Sequence, residues 1–412
     1  MRDPICLTEG GDYQPEELTP GQYVALDASG LVRVKRERGT YFVKDKQRPG
    51  VVGSVRVGTG GDAVEVRIKP KVPIKRLMFL IGYTRKSLDQ IGWRDDEVDV
   101  GEADGLLPAV AHAYARATER GLRCGLLAGY REIEADATVM RGRIRQTQQV
   151  RKHYSFPLPI EVRYDDYTVD IPENQILLAA TDRLLRLPDV AAPTRASLRV
   201  IRARLAPVSG LTAAPLLPSW QRTRLNACCH TALDLAELIL RGRSYELGDG
   251  ASLRADGLVL QAWRIFEDFV TSALKAELDR LGCTCYQQDT RHYLTRSNSF
   301  LLEPDLVCDR AGPDGRNAPF TVIDAKYKLG GPERGDMHQV VTYCAALGLK
   351  RAYVISPRTP ACRRIHEIRD SGITIVEQAL DLDVPPADVL RQIRDLADDI
   401  VRPTPSQASL CS

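Results

Sequence analysis

The stretch PDLVCDRAGPDGRNAPFTVIDAKYK, residues 304–328, decides how the chain is read. Two apolar runs flank a Pro-Asp-Gly turn signal, and each run carries an Asp. Asp-Gly is among the strongest two-residue hairpin signals, so a turn centred on Asp314-Gly315 predicts two antiparallel strands. Residues facing each other across such a hairpin have numbers that total 629. Asp305 and Asp324 meet that condition, which places them opposite one another with Cβ atoms ~5 Å apart. Lys326 returns to the same face two residues later, roughly 6 to 7 Å along the strand. Pro313, Pro319 and the polar insertion CDRAGPDGRNAP leave the register open to a bulge, and a single bulged residue would change this geometry.

Two carboxylates so placed repel unless a cation sits between them. Asp, Asp and Lys converging on one spot is the arrangement that Mg²⁺-dependent phosphodiester hydrolysis needs. The carboxylates give a hard cation its oxygen ligands, and the cation offsets charge on a phosphorane-like transition state. Lys326 would position or deprotonate the attacking water, or stabilise charge at the scissile phosphate. A surface salt bridge would explain an isolated D-x-K equally well. What distinguishes this one is its company, with one helix before it and another after it.

In the preceding helix, QAWRIFEDFVTSALKAEL, an apolar stripe runs through Trp263, Phe266, Val270 and Leu274, with Glu267 at its edge. Glu267 is a candidate metal ligand, although a boundary ion pair with a nearby Arg would explain it as readily. In the following helix, DMHQVVTYCAALG, Gln339 and Tyr343 share one face four residues apart. With Asp336 as N-cap, Gln339 would fall at the third position of a capping box, which leaves Tyr343 unexplained. His338 reads as an exposed or capping residue. No G-x-x-x-x-G-K-[ST] phosphate loop occurs in the sequence, so the chain is not read as an NTP motor.

Outward from this stretch, three segments are expected: a β-rich N-terminal domain at 1–75, a mainly helical region at 76–245, and a C-terminal α/β domain with a mixed sheet at 256–400. In the first, QYVALDAS, LVRVKRERGTYFVKD, GVVGSVRVGTGG and AVEVRIKPKVP read as β, with Val64, Val66 and Ile68 facing a core. Helices are expected at 107–121, 171–186, 193–205 and 218–241, with Asp170 starting the second, and YREIEADATVMRGRIRQ and LPIEVRYDDYTVD as extended arms. The Gly-rich stretch 241–257 marks a boundary. A helix at about 257–281 should follow, then strands at 292–308 and 319–327, a helix at 336–347, further strands from 351 to 380, and a last helix from 386. The fold class is α+β, multidomain.

At 412 residues with a net charge of +3, the composition is that of a globular protein, and its charge permits a DNA partner without demanding one. Arg141, Arg143, Arg145, Arg151 and Lys152 form a local basic cluster. The longest apolar run, LMFLIGY from Leu77, is far short of the roughly 18 residues a membrane span needs. The N-terminus shows no signal-peptide pattern, so a cytoplasmic chain without a membrane partner is expected. Ten scattered cysteines lack zinc-knuckle spacing, and reduced, mostly buried thiols are expected.

Pro304-Asp305 followed by Asp324-Ala325-Lys326 resembles the PD-(D/E)XK nuclease superfamily, and QVVTY resembles the Q-x-x-x-Y helix of its RecB-like branch. Together with GVVGSVRVG, VRIKPKVPIKRLMFLIGY, MRGRIRQ, DIPENQILLAATDRLL and WRIFEDFV, these motifs resemble the McrC family of McrBC modification-dependent restriction systems, over residues 50–380. The resemblance implies that Asp305 and Asp324, with Glu267, bind Mg²⁺, that Lys326 serves catalysis, and that Gln339 and Tyr343 support the site or contact DNA. It implies a McrB-like AAA+ GTPase ring as partner, bound and stimulated by the N-terminal half, with GTP used by that partner. The substrate it implies is double-stranded DNA carrying modified cytosine. Two other readings are a non-cutting activator of an AAA+ partner and a stand-alone repair nuclease.

Overall fold

A computed structural model of the chain describes residues 3–46, 51–84, 105–154, 158–187, 190–211, 217–241, 256–311, 317–328, 330–358 and 361–402. The chain forms two compact units, Met1–Leu106 with Ser244–Ser412, and Leu107–Arg243 between them. The sequence had indicated three consecutive segments.

The first unit opens with β1 (Ile5–Thr8), β2 (Gln14–Glu16), α1 (Pro20–Ala28), β3 (Val32–Glu37), β4 (Thr40–Asp45), β5 (Val51–Val57), β6 (Val64–Lys69) and α2 (Ile74–Thr84). The stretch QYVALDAS, expected as a strand, lies in α1 instead. Thr19 caps that helix in a reciprocal box with Gln22, and Pro20 takes its first turn, so local capping outweighs β propensity. LVRVKRERGTYFVKD folds back on itself as β3 and β4 at Arg38-Gly39, both with positive φ, the backbone that a tight hairpin turn requires. Val64, Val66 and Ile68 are buried as alternation predicts, in a core shared with Ile5, Leu7, Val55 and Leu26.

The second unit comprises α3 (Leu106–Gly121), β7 (Gly129–Ala137), β8 (Arg143–Ile144), α4 (Gln146–His153), β9 (Ile160–Thr168), α5 (Pro172–Arg186), α6 (Ala192–Arg204) and α7 (His230–Arg241). Its helical core is tied by the buried Tyr114, whose hydroxyl donates to the Leu177 carbonyl at 2.7 Å and lies 2.8 Å from Thr181 Oγ1. The expected arms pair as β7 and β9, from Gly129 opposite Thr168 to Ala137 opposite Ile160. Two helix expectations shift. Ile171 rather than Asp170 precedes α5, and the Asp170 carboxylate accepts from Gln175 and from the Ser209 N–H. The helix expected from 218 begins only at His230, because Arg222 turns back to Asp234 and Trp220 to Glu237.

The chain then returns to the first unit. β10 (Asp256–Gln261) pairs antiparallel with β5 and completes a four-stranded sheet in the order β1-β6-β5-β10. The helix expected from 257 therefore starts late, as α8 (Ala262–Arg280), because its first residues are bonded into that sheet. Beyond it come β11 (Thr284–Gln287), β12 (His292–Tyr293), β13 (Leu301–Leu302), β14 (Leu306–Ala311), β15 (Asn317–Ala325), α9 (Arg334–Leu347), β16 (Arg351–Pro357), β17 (Arg363–Ile368), β18 (Ile373–Leu380) and α10 (Pro386–Val401). Six strands form a mixed sheet in the order β11-β14-β15-β16-β18-β17, parallel through β15, β16 and β18. One face, Val307, Val322, Ala352, Val354 and Ile375, packs under Val340, Tyr343 and Cys344 of α9. Cys285 and Cys308, opposite each other on β11 and β14, form a disulfide, where reduced thiols had been expected.

Candidate active site

The hairpin of β14 and β15 settles the register question. Leu306 faces Ile323, Val307 faces Val322 and Cys308 faces Thr321, all totalling 629, before the register shifts at Asp309, which faces Pro319. Phe320 is the extra residue, and Pro319 sits beside the irregularity, where a missing N–H costs no ladder bond. The bulge lies toward the turn, so the other end of the hairpin keeps the register that sets Asp305 against Asp324.

Asp305 immediately precedes β14, and its Oδ2 accepts the Ala325 N–H at 2.8 Å, while its own carbonyl accepts from the Gln288 N–H at 3.0 Å. Asp324 lies in β15 with only 1% of its surface exposed. Lys326 Nζ comes within 2.9 Å of the buried Asp324 Oδ2. Asp305, Asp324 and Lys326 thus share one spot, and Glu267 of α8 joins them closely enough for all four charges to interact.

The protonation of the cluster records its crowding. Burial, then the Asp305 charge, pushes Asp324 up to about 7. Burial, then Asp305, pushes Glu267 up to about 8. Burial raises Asp305 as well, against the pull of Lys326. For Lys326 burial opposes the charge, but Asp324, then Asp305 and Glu267, outweigh it and hold the ammonium above its ordinary value. One cation faces three carboxyl groups, and the deficit is met by protons. The three acids supply hard oxygen donors of the kind that suit Mg²⁺.

Helix α9 supports this corner. Asp336 is not its N-cap: Glu333 is, and Asp336 takes the third position of the box, accepting from the Glu333 N–H at 2.7 Å. Gln339 stands one turn further on, outside the box, and donates to the Tyr343 hydroxyl at 2.7 Å; that hydroxyl donates to the Glu303 carbonyl at 3.2 Å. Burial, then Asp324, raises the Tyr343 phenol to about 12, so it stays a donor. His338 is exposed, and its backbone carbonyl accepts from Thr342.

Two neighbours escaped the sequence reading. Lys328 pairs with Asp336 at 2.7 Å and Glu333 at 3.0 Å, and the alternation of AKYK could have pointed to it. Tyr327, packed on Phe266, reaches the buried Glu9 at 3.3 Å, a contact across 318 positions that no local pattern encodes.

An α+β chain with a buried acid and lysine cluster at the end of a mixed-sheet hairpin is the class these features define. It belongs to the family described as McrBC 5-methylcytosine restriction system component, which matches residues 47–357. Among solved structures it is similar to a chain of the refined half-complex from the tetradecameric assembly of Thermococcus gammatolerans McrB AAA+ hexamers with bound McrC. The identity is 16% and the TM-score 0.59, over 97% of this chain and 100% of that one. A chain of the cryo-EM structure of the Thermococcus gammatolerans McrBC complex is 17% identical over 67% of this chain and 88% of that one, with a TM-score of 0.43. Among curated proteins none matches. No helix among the described residues is long and apolar enough to cross a membrane.

Proposed function

We propose that this chain is the Mg²⁺-dependent endonuclease subunit of a cytoplasmic, GTP-driven restriction complex that cuts double-stranded DNA carrying modified cytosine. The observation that carries the proposal is the buried Asp324 beside Asp305 and Glu267, three crowded carboxyl groups that share the ammonium of Lys326, in a chain of a restriction family. On this reading the C-terminal mixed sheet is a PD-(D/E)XK nuclease core.

The donor set fits the ion. Asp305, Asp324 and Glu267 offer only oxygen, and three carboxyl groups crowded around one ammonium favour a further positive charge. When bound, Mg²⁺ supplies charge neutralisation at the scissile phosphate and lowers the pKa of water. The chain's own groups do the rest. Asp305, held by the Ala325 N–H, and Asp324, fixed by the β15 ladder, orient the ligand oxygens. Lys326, kept as an ammonium by its acidic neighbours, would stabilise negative charge at the scissile phosphate as water attacks phosphorus and the ester oxygen leaves. Gln339 and Tyr343 anchor the Glu303 carbonyl, two residues before Asp305.

The partner on this reading is a McrB-like AAA+ GTPase ring, engaged by the N-terminal half, and GTP is bound by that ring. The missing phosphate loop and the likeness to a chain solved with McrB AAA+ hexamers support this assignment. The test is reconstitution of the chain with the candidate ring, GTP, Mg²⁺ and methylated or unmodified DNA. Cutting of methylated DNA that needs all components supports the proposal. Cutting by the chain alone makes it a stand-alone nuclease, and GTPase stimulation without any cutting makes it an activator only.

A further inference from the structure

A small hairpin precedes Asp305, and its residue types differ from those around it. Residues 291–302, RHYLTRSNSFLL, contain two arginines and a histidine and no carboxylate. Its base is fixed on both sides. The Asp289 carboxylate accepts from the Arg291 N–H at 3.0 Å, from its guanidinium and from His292, and the Arg291 guanidinium stacks over the Tyr286 ring at 3.8 Å. Leu302 is buried in the core under α9, and the chain leaving the hairpin is held where Tyr343 bonds the Glu303 carbonyl.

The tip is the reverse. Phe300 is 65% exposed, and Tyr293, Leu294 and Leu301 are exposed beside it. Thr295, Ser297 and Ser299 form a chain of side-chain hydroxyls across the turn, closed by the Ser299 N–H donating to Thr295 Oγ1 at 3.0 Å. Arg296 points into solvent and has no ion pair among the described residues. The exposed apolar side chains lie on both faces of the hairpin, Tyr293 opposite Leu301 and Leu294 beside Phe300, and offer a contact surface at its tip.

Resting on the nuclease reading above, we propose that the β12–β13 hairpin engages DNA, with Phe300 stacking against bases next to the cleavage site while Arg296 and the Ser/Thr hydroxyls hold phosphates. Arg296, exposed at the tip while Arg291 and His292 are held by Asp289, complements a polyanion, and aromatic rings meet bases through faces that every base offers. Hydroxyls and guanidinium groups are the usual phosphate donors, and apolar side chains serve as wedges between base steps. Phe300 stands five positions before Asp305, so their Cα atoms are at most about 18 Å apart. That reach confines its contact to the few nucleotides flanking the scissile bond.

The test uses the full chain carrying Lys326→Ala to suppress cutting, alone and with the ring partner. The probe is a duplex with 2-aminopurine at successive positions, whose fluorescence rises when the base unstacks. A rise at one or two positions is expected. Phe300→Ala should abolish it and weaken binding about tenfold, Phe300→Trp should restore both, and Arg296→Ala should reduce the salt slope of binding by about one. If the parent chain binds the duplex and Phe300→Ala matches it in affinity and fluorescence, the hairpin assignment is overturned and the nuclease proposal survives. A Phe300→Ala chain that changes oligomeric state in sedimentation with DNA binding intact also overturns it, in favour of a protein contact. A parent chain that binds no DNA in either setting overturns both.

Discussion

Two acidic clusters in this molecule look alike on paper and differ in their counter-charges. In the second unit, Asp136, His153 and Glu161 bring ligand atoms within 4.8 Å of one another. Lys152 stands 2.8 Å from Glu161, Arg145 lies 3.3 Å away, and Arg145 also pairs with Glu134. In the first unit, Asp305, Asp324 and Glu267 have one lysine among them, and their pKa values rise. Proximity of carboxylates therefore does not identify a metal site. The unit 2 cluster, despite tight geometry, is held by two cations, Lys152 and Arg145, and the unit 1 cluster has one lysine for three carboxyl groups.

The sharpest way to break this contrast is to remove a carboxylate from each. Asp324→Ala should lower DNA cleavage by the reconstituted complex at least about a thousandfold, measured as initial rate at saturating GTP. Lys326→Ala should cost about 10²–10³-fold if the ammonium stabilises charge at the phosphate. In thermal melts at pH 8 without Mg²⁺, Asp324→Asn should be more stable than the parent, because the buried charge is gone. Glu161→Gln should melt earlier, because Lys152 and Arg145 lose the buried carboxylate they share. Equal shifts of the same sign would erase the distinction.

Acidity gives a second probe. Asp324 and Glu267 release their protons near 7 and 8 in the folded chain, but near 4 when unfolded. Between those values the folded state binds more protons, so stability without Mg²⁺ falls as pH rises from about 4 to about 8. The melting temperature gained on adding Mg²⁺ should accordingly be larger at pH 8 than at pH 5.5, and a pH-independent gain would count against these acids as ligands. The smallest effect expected is from Tyr327→Phe, which removes the hydroxyl that meets the buried Glu9 and should cost about 1 kcal/mol in denaturant unfolding.

Much of the site could be read from sequence because it is local. Asp305, Asp324 and Lys326 lie within one hairpin, whose period of two and turn chemistry determine which residues meet. The expected register holds from Cys308 to Leu306, the residue next to Asp305, although the turn side is shifted by Phe320. Gln339 and Tyr343 were legible as a helix pair, but the cap was misplaced by three residues, since Glu333 and Asp336 can each serve. What escaped depends on distant partners. VLQ at 259–261 continues an apolar helical pattern, and only β5, two hundred residues earlier in the chain, makes it a strand. QYVALDAS has strand-like residues, and the capping box at Thr19 and Gln22 decides otherwise.

The pairing of β10 with β5 also determines where this protein can be divided. The sheet begun at Ile5 is finished by a strand that arrives after the whole second unit, so that unit is an insertion into its host. A C-terminal fragment starting at 256 would carry a strand without a sheet, and the N-terminal remainder would expose the bare edge of β5 to aggregation. The piece suited to excision is the insert, with both parts of the host kept in one chain.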